Sequence, residues 1–277
     1  MNLNPIKVEE IIKNALNEDI GFGDITTEII DKNIVGNAFF LAKEDFVICG
    51  VDVVKKVFTL YDNELNVTFD CSDGEKVKKG QRFGTVVGKL RSILTCERVA
   101  LNFLQRLSGI ATLTYLIVEK VSKNGVKVLD TRKTTPLLRI FEKYAVRVGG
   151  GYNHRISLSD GILIKDNHIK ACGSITKAIR NAKKIIRPLT FIGVEVKNLE
   201  ELEEALSNGA THLLLDNMST QMIKKAVSIV NGKATIEVSG GITLDNVSEY
   251  AIEGVDFISL GSLTHSFRSV DISLEIE

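Results

Sequence analysis

The stretch GATHLLLDNMSTQMIKKAVSIVNGKATIEVSGG, residues 209–241, decides the fold class of this chain. It contains two short, nearly continuous apolar runs, THLLLD (211–216) and ATIEVSG (234–240). Between them, QMIKKAVSIVNG (221–232) has apolar residues at helical spacing and ends in Asn-Gly, a common helix stop. Apolar strands that alternate with amphipathic helices are typical of a parallel sheet covered by helices. The stretch therefore predicts a β-α-β unit of an α/β domain.

The same alternation extends over residues 126 to 261. Further strands are predicted at VKVLD (126–130), GILIK (161–165), TFIGVEV (190–196) and VDFISLG (255–261), and LEELEEALSNG (199–209) supplies another helix. These six predicted strands are fewer than the eight of a closed α/β barrel. We therefore predict an incomplete, open α/β barrel whose gap another element must cover.

The N-terminal part of the chain has a different period. A short helix is predicted over residues 8–16, and residues 34–88 contain short β-rich runs separated by turns, which predict a small antiparallel sheet. Within it, residues 71–88 resemble the hammerhead turn of lipoyl- and biotinyl-type modules, in which Gly74 and Gly80 allow tight reversals. The chain has no modifiable Met-Lys-Met tripeptide, and a carrier role is therefore not favoured.

The longest helical candidate covers residues 96–121 and is apolar on nearly every face, which predicts a buried helix. If Thr95 caps this helix, Arg98 lies in its first turn, where a cation opposes the helix dipole. That placement indicates an anionic partner. The alternative is an arginine solvated at a helix end.

The composition argues against several classes of function. Lys plus Arg and Asp plus Glu both total 35, so no net charge draws the whole protein to nucleic acid or an anionic membrane, and any positive site must be local. The four cysteines are widely spaced and include no Cys-x-x-Cys pair, so they are interpreted as reduced and mostly structural. No apolar run approaches the roughly 20 residues of a membrane span, and we expect a cytoplasmic protein.

Nearly every predicted strand ends in reactive side chains. Parallel α/β folds place their active sites at the carboxyl ends of the strands, and a shared active site is therefore predicted there. The residues at these ends are Asp130 to Thr134, Lys165 to His168, Glu195 and Lys197, Asp216 and Asn217, Ser239 to Gly241, and Leu260 to Ser262, with His265 shortly beyond. Asp166, Asn167 and His168 either order Lys165 or contact substrate. His212 is predicted to precede its strand and is interpreted as structural.

Five of the site residues form a cationic cluster at the barrel mouth. They are Arg132, Lys133, His154, Arg155 and Lys165. Such a cluster indicates an enzyme that acts on small, multiply anionic substrates. His154 and Arg155 follow a glycine run, GGGYNHR (149–155), which either closes over a bound anion or is a flexible surface turn.

The remaining strand ends suggest a phosphate and a cation. Ser239, Gly240 and Gly261 suit a phosphate, because glycine lets backbone N–H groups approach the ligand, although a glycine pair after a strand is also typical of a simple turn. Glu195 and Asp216 suit Mg²⁺ held through water, sugar hydroxyls, or a developing positive charge. The alternative interpretation is that Glu195 and Asp216 form structural ion pairs.

Eight blocks of the sequence resemble one enzyme family. In order, they are EDIGFGDITT, ERVALNFLQRLSGIAT, DTRKTTP, EKYAVRVGGGYNHR, LIKDNHI, LLLDN, EVSGGI and ISLGSLTHS, and they extend from residue 18 to residue 266. The family is that of the quinolinate phosphoribosyltransferases, or carboxylating nicotinate-nucleotide pyrophosphorylases. The resemblance implies an N-terminal α/β sandwich over residues 1–110, to which the alternating segment 268–277 returns as an edge strand, and an open α/β barrel over residues 111–267. It also implies a homodimer in which each barrel is approached by the partner's N-terminal domain, with assembly into hexamers left open.

The resemblance implies roles for individual residues. The quinolinate carboxylates are assigned to Arg132, Arg155 and Lys165 with His154 close by, and to Arg98 from the adjacent subunit. Phosphoribosyl pyrophosphate and its Mg²⁺ are assigned to Lys133, Glu195 and Asp216, the last two holding the metal through water. The 5′-phosphate loops are assigned to Ser239, Gly240 and Gly261 with His265 beside them, and Thr131 is a further substrate-binding residue.

The implied reaction joins quinolinate to the ribose, releases pyrophosphate and CO₂, and gives nicotinate mononucleotide for de novo NAD biosynthesis. One departure from the family is Leu137, which follows Pro136 where a glycine is usual. Two alternatives remain: a Schiff-base aldolase using Lys133 or Lys165 as nucleophile, and a non-catalytic paralogue like the family's relatives associated with molybdate transport. Those relatives depart from the Lys-Asp-Asn-His block, which this chain retains.

Overall fold

The computed structural model describes residues 3–277. The helices are α1 (Pro5–Ile20), α2 (Val51–Tyr61), α3 (Leu90–Val121), α4 (Arg139–Val148), α5 (Asp166–Cys172), α6 (Ile175–Ile185), α7 (Leu199–Ser207), α8 (Thr220–Val230), α9 (Val247–Tyr250) and α10 (Ser262–His265), with short 3₁₀ turns at Thr27–Ile29 and Ser122–Asn124. The strands are β1 (Val35–Ala42), β2 (Phe46–Val47), β3 (Asn66–Phe69), β4 (Lys76–Val77), β5 (Arg82–Lys89), β6 (Lys127–Leu129), β7 (Ile162–Ile164), β8 (Ile192–Val196), β9 (His212–Asp216), β10 (Thr235–Ser239), β11 (Phe257–Ser259) and β12 (Ile272–Ile276).

The chain divides into two compact units. The first contains the residues up to Tyr115 together with Thr135–Gly150 and Ser266–Glu277, and the second contains Leu116–Thr134 and Gly151–His265. The sequence predicts one domain over residues 1–110 with residues 268–277, and a second over residues 111–267. The segment with α4 instead belongs to the first unit, although it lies between two strands of the second.

The first unit is built on an antiparallel sheet with the order β12-β1-β5-β3. The C-terminal segment is an edge strand, as predicted, and pairs with β1 so that Leu41 lies opposite Ser273. Gly74 and Gly80 flank β4 with φ of 97° and 82°, which confirms the tight reversals expected there. Fully buried phenylalanines, among them Phe40, fill the core behind the sheet.

Two helices of the first unit differ from the sequence predictions. The Val-rich segment of α2 was not predicted as a helix, although its buried residues Val51, Val54 and Phe58 follow helical spacing. The long helix was predicted from residue 96, but α3 begins at Leu90. Arg98 is therefore an exposed residue of the third turn, and the argument that it opposes the dipole of the first turn is wrong.

The second unit contains the predicted parallel sheet of six strands, in the order β6-β11-β10-β9-β8-β7. Since β6 and β7 lie at its two edges, the sheet is open, in agreement with the predicted incomplete barrel. The predicted helices α7 and α8 begin at side-chain caps, Asn198 accepting from the Glu201 N–H and Ser219 from the Met222 N–H. His212 is the first residue of β9, so the prediction that it precedes its strand is wrong.

No helix within residues 3–277 combines the length and the apolar character that crossing a bilayer requires.

Candidate active site

A cavity of about 710 Å³ opens at the carboxyl ends of the parallel strands. All predicted site residues of the second unit line it: Thr131, Arg132, Lys133, His154, Arg155, Lys165, Glu195, Asp216, Ser239, Gly240, Gly261 and His265. Arg98 belongs to the first unit and is not among the lining residues. The strand ends thus bring together residues that are up to about 130 positions apart in the sequence.

Strand register sets the depth of each side chain in this cavity. Leu214 of β9 lies opposite Glu195 of β8 and Glu237 of β10, so these three residues form one row across the sheet. Asp216 lies two residues after Leu214 on the same face, opposite Ser239. The floor of the cavity therefore carries carboxylates on either side of a leucine, and the next layer is polar.

A buried carboxylate anchors the loop that carries two of the cations. Asp130, which is fully buried, accepts hydrogen bonds from the His154 backbone N–H at 2.9 Å and from Nδ2 of Asn153 at 2.5 Å. The preceding glycine run has a packing role, because a Cβ at Gly149 would lie 2.7 Å from Cβ of Thr114. The loop is thereby held at both ends before it delivers its cationic side chains.

The arginines of the cavity are close enough to influence each other. Burial, together with the positive charge of Arg132, lowers the pKa of Arg155, and Asp160 opposes this only in part. Arg155 uses Nη1 to donate to the Gly161 carbonyl at 3.0 Å, which fixes its direction. Two neighbouring guanidinium groups favour a bound dianion, since it would relieve their mutual repulsion.

Lys165 and Lys133 occupy different parts of the wall. Lys165 Nζ contacts Glu195 Oε2 at 2.6 Å, so one candidate cation and one candidate metal ligand are paired. The Lys165 backbone N–H donates to Nδ1 of His168 at 2.9 Å, which supports the interpretation that His168 orders Lys165. On the opposite side, the Thr264 hydroxyl donates to the Lys133 carbonyl at 2.7 Å and holds that loop against α10.

The glycines of the candidate phosphate loops are required by their surroundings. Gly240 has a φ of 98°, and a Cβ there would collide with the Asn217 side chain. A Cβ at Gly261 would lie 2.9 Å from both the Lys133 Cδ and the His265 Nε2. Both positions therefore require glycine, and both line the cavity.

Comparison with known proteins identifies the family. The model of the quinolinate phosphoribosyl transferase C-terminal domain matches residues 110–275, and that of the N-terminal domain matches residues 24–108. The chain belongs to the quinolinate phosphoribosyl transferase family. Family members that are highly similar to this chain align with nearly its whole length.

Two curated relatives and two solved structures illustrate the similarity. The probable carboxylating nicotinate-nucleotide pyrophosphorylase of Bacillus subtilis is 40% identical over 99% of this chain and 95% of its own length. The corresponding Methanocaldococcus jannaschii protein is 46% identical over 96% of both chains. The nicotinate-nucleotide pyrophosphorylase structure from Francisella tularensis has a TM-score of 0.95 at 42% identity, covering 100% of this chain and 98% of that one. The NadC structure from Streptococcus pyogenes also has a TM-score of 0.95, at 45% identity over 99% and 98% of the two chains.

The sequence analysis assigns no individual role to three polar residues of this site, although two of them, Asp130 and Asn217, are among its strand-end residues. Asp130 was noted only as a strand end, and its anchoring role follows from its burial. Asn217 has a φ of 54°, a left-handed conformation that Asn tolerates, and lies against Gly240. Glu237 was not considered, because within the sequence it is one polar residue inside an apolar strand. Such a residue is itself a signal, since an unpaired buried carboxylate is costly.

Proposed function

We propose that this chain catalyses the decarboxylating transfer of phosphoribose to quinolinate in de novo NAD biosynthesis. Quinolinate and phosphoribosyl pyrophosphate would give nicotinate mononucleotide, pyrophosphate and CO₂. The observation that carries the proposal is a single cavity that is lined by two neighbouring guanidinium groups, strand-end carboxylates and glycine loops. Membership in the family and the names of its similar relatives support the same reaction.

The quinolinate side of the cavity is assigned to Arg132, Arg155 and Lys165. Quinolinate carries two adjacent carboxylates, and planar guanidinium groups bind carboxylates through paired hydrogen bonds. His154 adds a rigid wall, because both its backbone N–H and its ring are hydrogen-bonded. These groups would hold the pyridine nitrogen in one direction, which is the main requirement for attack on the sugar.

The phosphoribosyl side is assigned to the remaining strand ends. Ser239, Gly240 and Gly261 would bind the 5′-phosphate, with Thr131 and His265 nearby, and Lys133 would bind the pyrophosphate. In the reaction, the bond from C1 of the ribose to pyrophosphate breaks, and the pyridine nitrogen donates its electron pair to C1. The carboxylate at C2 of the pyridine then leaves as CO₂, and a proton takes its place on the ring carbon. Glu195 and Asp216 would oppose the positive charge that develops at C1.

Mg²⁺ is proposed as the cofactor of this step. Glu195 and Asp216 fit a hard cation, because they offer oxygen ligands from neighbouring parallel strands on one face of the sheet. When bound, Mg²⁺ supplies positive charge that stabilises the departing pyrophosphate. Because Glu195 is already paired with Lys165, we propose that these carboxylates would hold the metal through water.

A homodimer with shared active sites is proposed for the assembly, and the cytoplasm for the location. Phe22, Ile25 and Ile29 are exposed on the first unit, the first two within the N-terminal block that resembles the family and the third just after it, and such apolar side chains are typical of an interface. Arg98 is also exposed there, as a residue that completes a partner's pocket must be. Sedimentation analysis distinguishes the dimer from a monomer and from a hexamer.

The decisive experiment combines the protein with quinolinate, phosphoribosyl pyrophosphate and Mg²⁺. Nicotinate mononucleotide and pyrophosphate should accumulate in equal amounts, and omission of either substrate should abolish both. Absence of product from folded protein would refute the proposed function.

A further inference from the structure

A hydrogen-bonded triad begins at the floor of the cavity, where His154 and Glu237 line it, and continues to His212, which contacts Glu237 but does not line the cavity. Glu237 is fully buried, and its Oε2 lies 2.8 Å from Nε2 of His212 and 3.4 Å from Nε2 of His154. The other carboxylate oxygen, Oε1, is buried and has no hydrogen-bond partner. Burying a carboxylate with an unused oxygen costs stability, so a role outside folding is the better explanation.

The triad has the composition of a metal site, but its hydrogen bonds argue against one. Within residues 3–277, His154, His212 and Glu237 are the one group of three whose potential ligand atoms lie within 4.8 Å of one another. The Arg155 backbone N–H, however, donates to Nδ1 of His154 at 2.7 Å, so Nδ1 is an acceptor and the ring proton is on Nε2. A ligating histidine needs the opposite arrangement, with a free lone pair on Nε2 and a proton on Nδ1. His154 is therefore a hydrogen-bond donor to Glu237.

Both ring nitrogens of His212 lie within hydrogen-bond distance of an oxygen atom. Nδ1 of His212 lies 2.9 Å from the Thr235 hydroxyl oxygen, which can accept from it because that hydroxyl has an acceptor of its own, the Thr211 carbonyl, at 3.2 Å. Nε2 of His212 lies 2.8 Å from a carboxylate oxygen and must also carry a proton. Burial alone would raise the pKa of Glu237, but the hydrogen bonds from the two histidines lower it to about 2.

We propose that Glu237 is a positioning residue of the quinolinate pocket, which fixes His154 from below while a protonated His212 balances its charge. This rests on the proposed function. Without His212, a carboxylate would remain beneath the pocket and repel the dianionic substrate. With a protonated His212, the charge of Glu237 is balanced and the field of the arginines is retained. Since Glu237 acts through His154, it need not contact the substrate.

The test is a double-mutant cycle at pH 8, with KM measured separately for the two substrates. His212→Leu leaves the carboxylate uncompensated and should raise KM for quinolinate roughly tenfold. Glu237→Gln preserves the shape and should have a small effect. The double variant should bind quinolinate better than His212→Leu alone, since it removes the repulsive charge, whereas KM for phosphoribosyl pyrophosphate should change by less than about twofold throughout.

Asp256→Asn is the matched control. The Asp256 carboxylate accepts a hydrogen bond at 2.8 Å from the N–H of Ile236, which lies on the same strand as Glu237. Asp256 itself does not line the cavity. This variant should leave both KM values unchanged. The proposal would be overturned if the double variant had as high a KM for quinolinate as His212→Leu. It would also be overturned if KM rose equally for both substrates. If His212→Leu does not fold, His212→Gln keeps a donor without the charge and should give a smaller effect of the same kind.

A second measurement is independent of activity. The chain has only four histidines, so ¹⁵N spectra of histidine-labelled wild-type protein can resolve each ring. His154 should be the neutral Nε2–H tautomer, and His212 should be doubly protonated at neutral pH. Glu237→Gln should convert His212 to a neutral ring. A neutral His212 in the wild type would overturn the proposal even if the enzyme is active, whereas an inactive wild type with the expected spectra would refute only the proposed function.

Discussion

Leu137 is expected to destabilise the protein through its backbone conformation. Its φ is 66°, and the Leu138 N–H donates to the Thr135 carbonyl at 3.2 Å, which closes a turn with Pro136 and Leu137 at its centre. A proline followed by a residue with positive φ is typical of a type II turn, in which glycine is strongly favoured at the second central position. This chain places leucine in that left-handed region.

The magnitude follows from two opposing contributions. A residue with a Cβ in the left-handed region costs about 1–2 kcal/mol. Glycine in turn lowers the free energy of unfolding by about 0.5–1 kcal/mol, because it increases the conformational entropy of the unfolded chain. The leucine side chain is 83% exposed, so its removal loses little burial. Leu137→Gly should therefore raise the free energy of unfolding by about 0.5–1 kcal/mol, or the Tm by about 2 °C.

Denaturant unfolding followed by circular dichroism measures this difference, and Leu137→Ala is the matched control. Alanine also removes the exposed side chain but retains the Cβ and hence the strain. Leu137→Gly should be more stable than both the wild type and Leu137→Ala. Equal midpoints for the glycine and alanine variants would refute the reasoning, because strain at this φ would then contribute nothing.

Four further outcomes are expected. Arg132→Ala should weaken quinolinate binding much more than phosphoribosyl pyrophosphate binding, and equal losses in separate titrations would contradict the division of roles. Mixed subunits of inactive Arg98→Ala and Lys165→Ala should regain some activity, whereas failure despite confirmed subunit exchange would exclude a shared site. Gly240→Ala should raise KM for phosphoribosyl pyrophosphate at least about tenfold, because its Cβ collides with Asn217 and its φ is unfavourable; an unchanged KM would remove this loop from the phosphate site. Chelation of divalent cations should abolish turnover and Mg²⁺ should restore it, while full activity in excess chelator would contradict a metal requirement.

The parallel sheet and its reactive edge were predictable because both depend on local patterns. Each strand is a short apolar run followed by polar residues, and parallel strands bring those ends to one edge. The segment of α4 was harder to place. It lies between two strands of the second unit in sequence but packs within the first, where Glu142 is buried against Arg106. Such a long-range ion pair leaves no periodic signal in the sequence.

Local patterns also did not predict the helical structure of α2 or the start of α3. Valine-rich segments favour strands by propensity, and α2 is helical because its apolar residues Val51, Val54 and Phe58 are buried on one face. The early start of α3 at Leu90 has a comparable cause. β5 ends at Lys89, and the helix follows without an intervening loop.

The floor of the active site depends on strand register, which a single sequence specifies only weakly. Leu214 of β9 lies opposite Glu237, so a carboxylate two residues before the end of β10 faces the cavity. A shift of one residue would turn Glu237 toward the covering helices and bring Ile236 or Val238 into the cavity instead. The apolar residues that flank Glu237 are buried on the opposite face and favour the observed register. The same alternation that packs the helices against the sheet therefore also places Glu237 beneath His154, and a polar residue at an inward position of a buried strand is the sequence feature from which such a floor can be inferred.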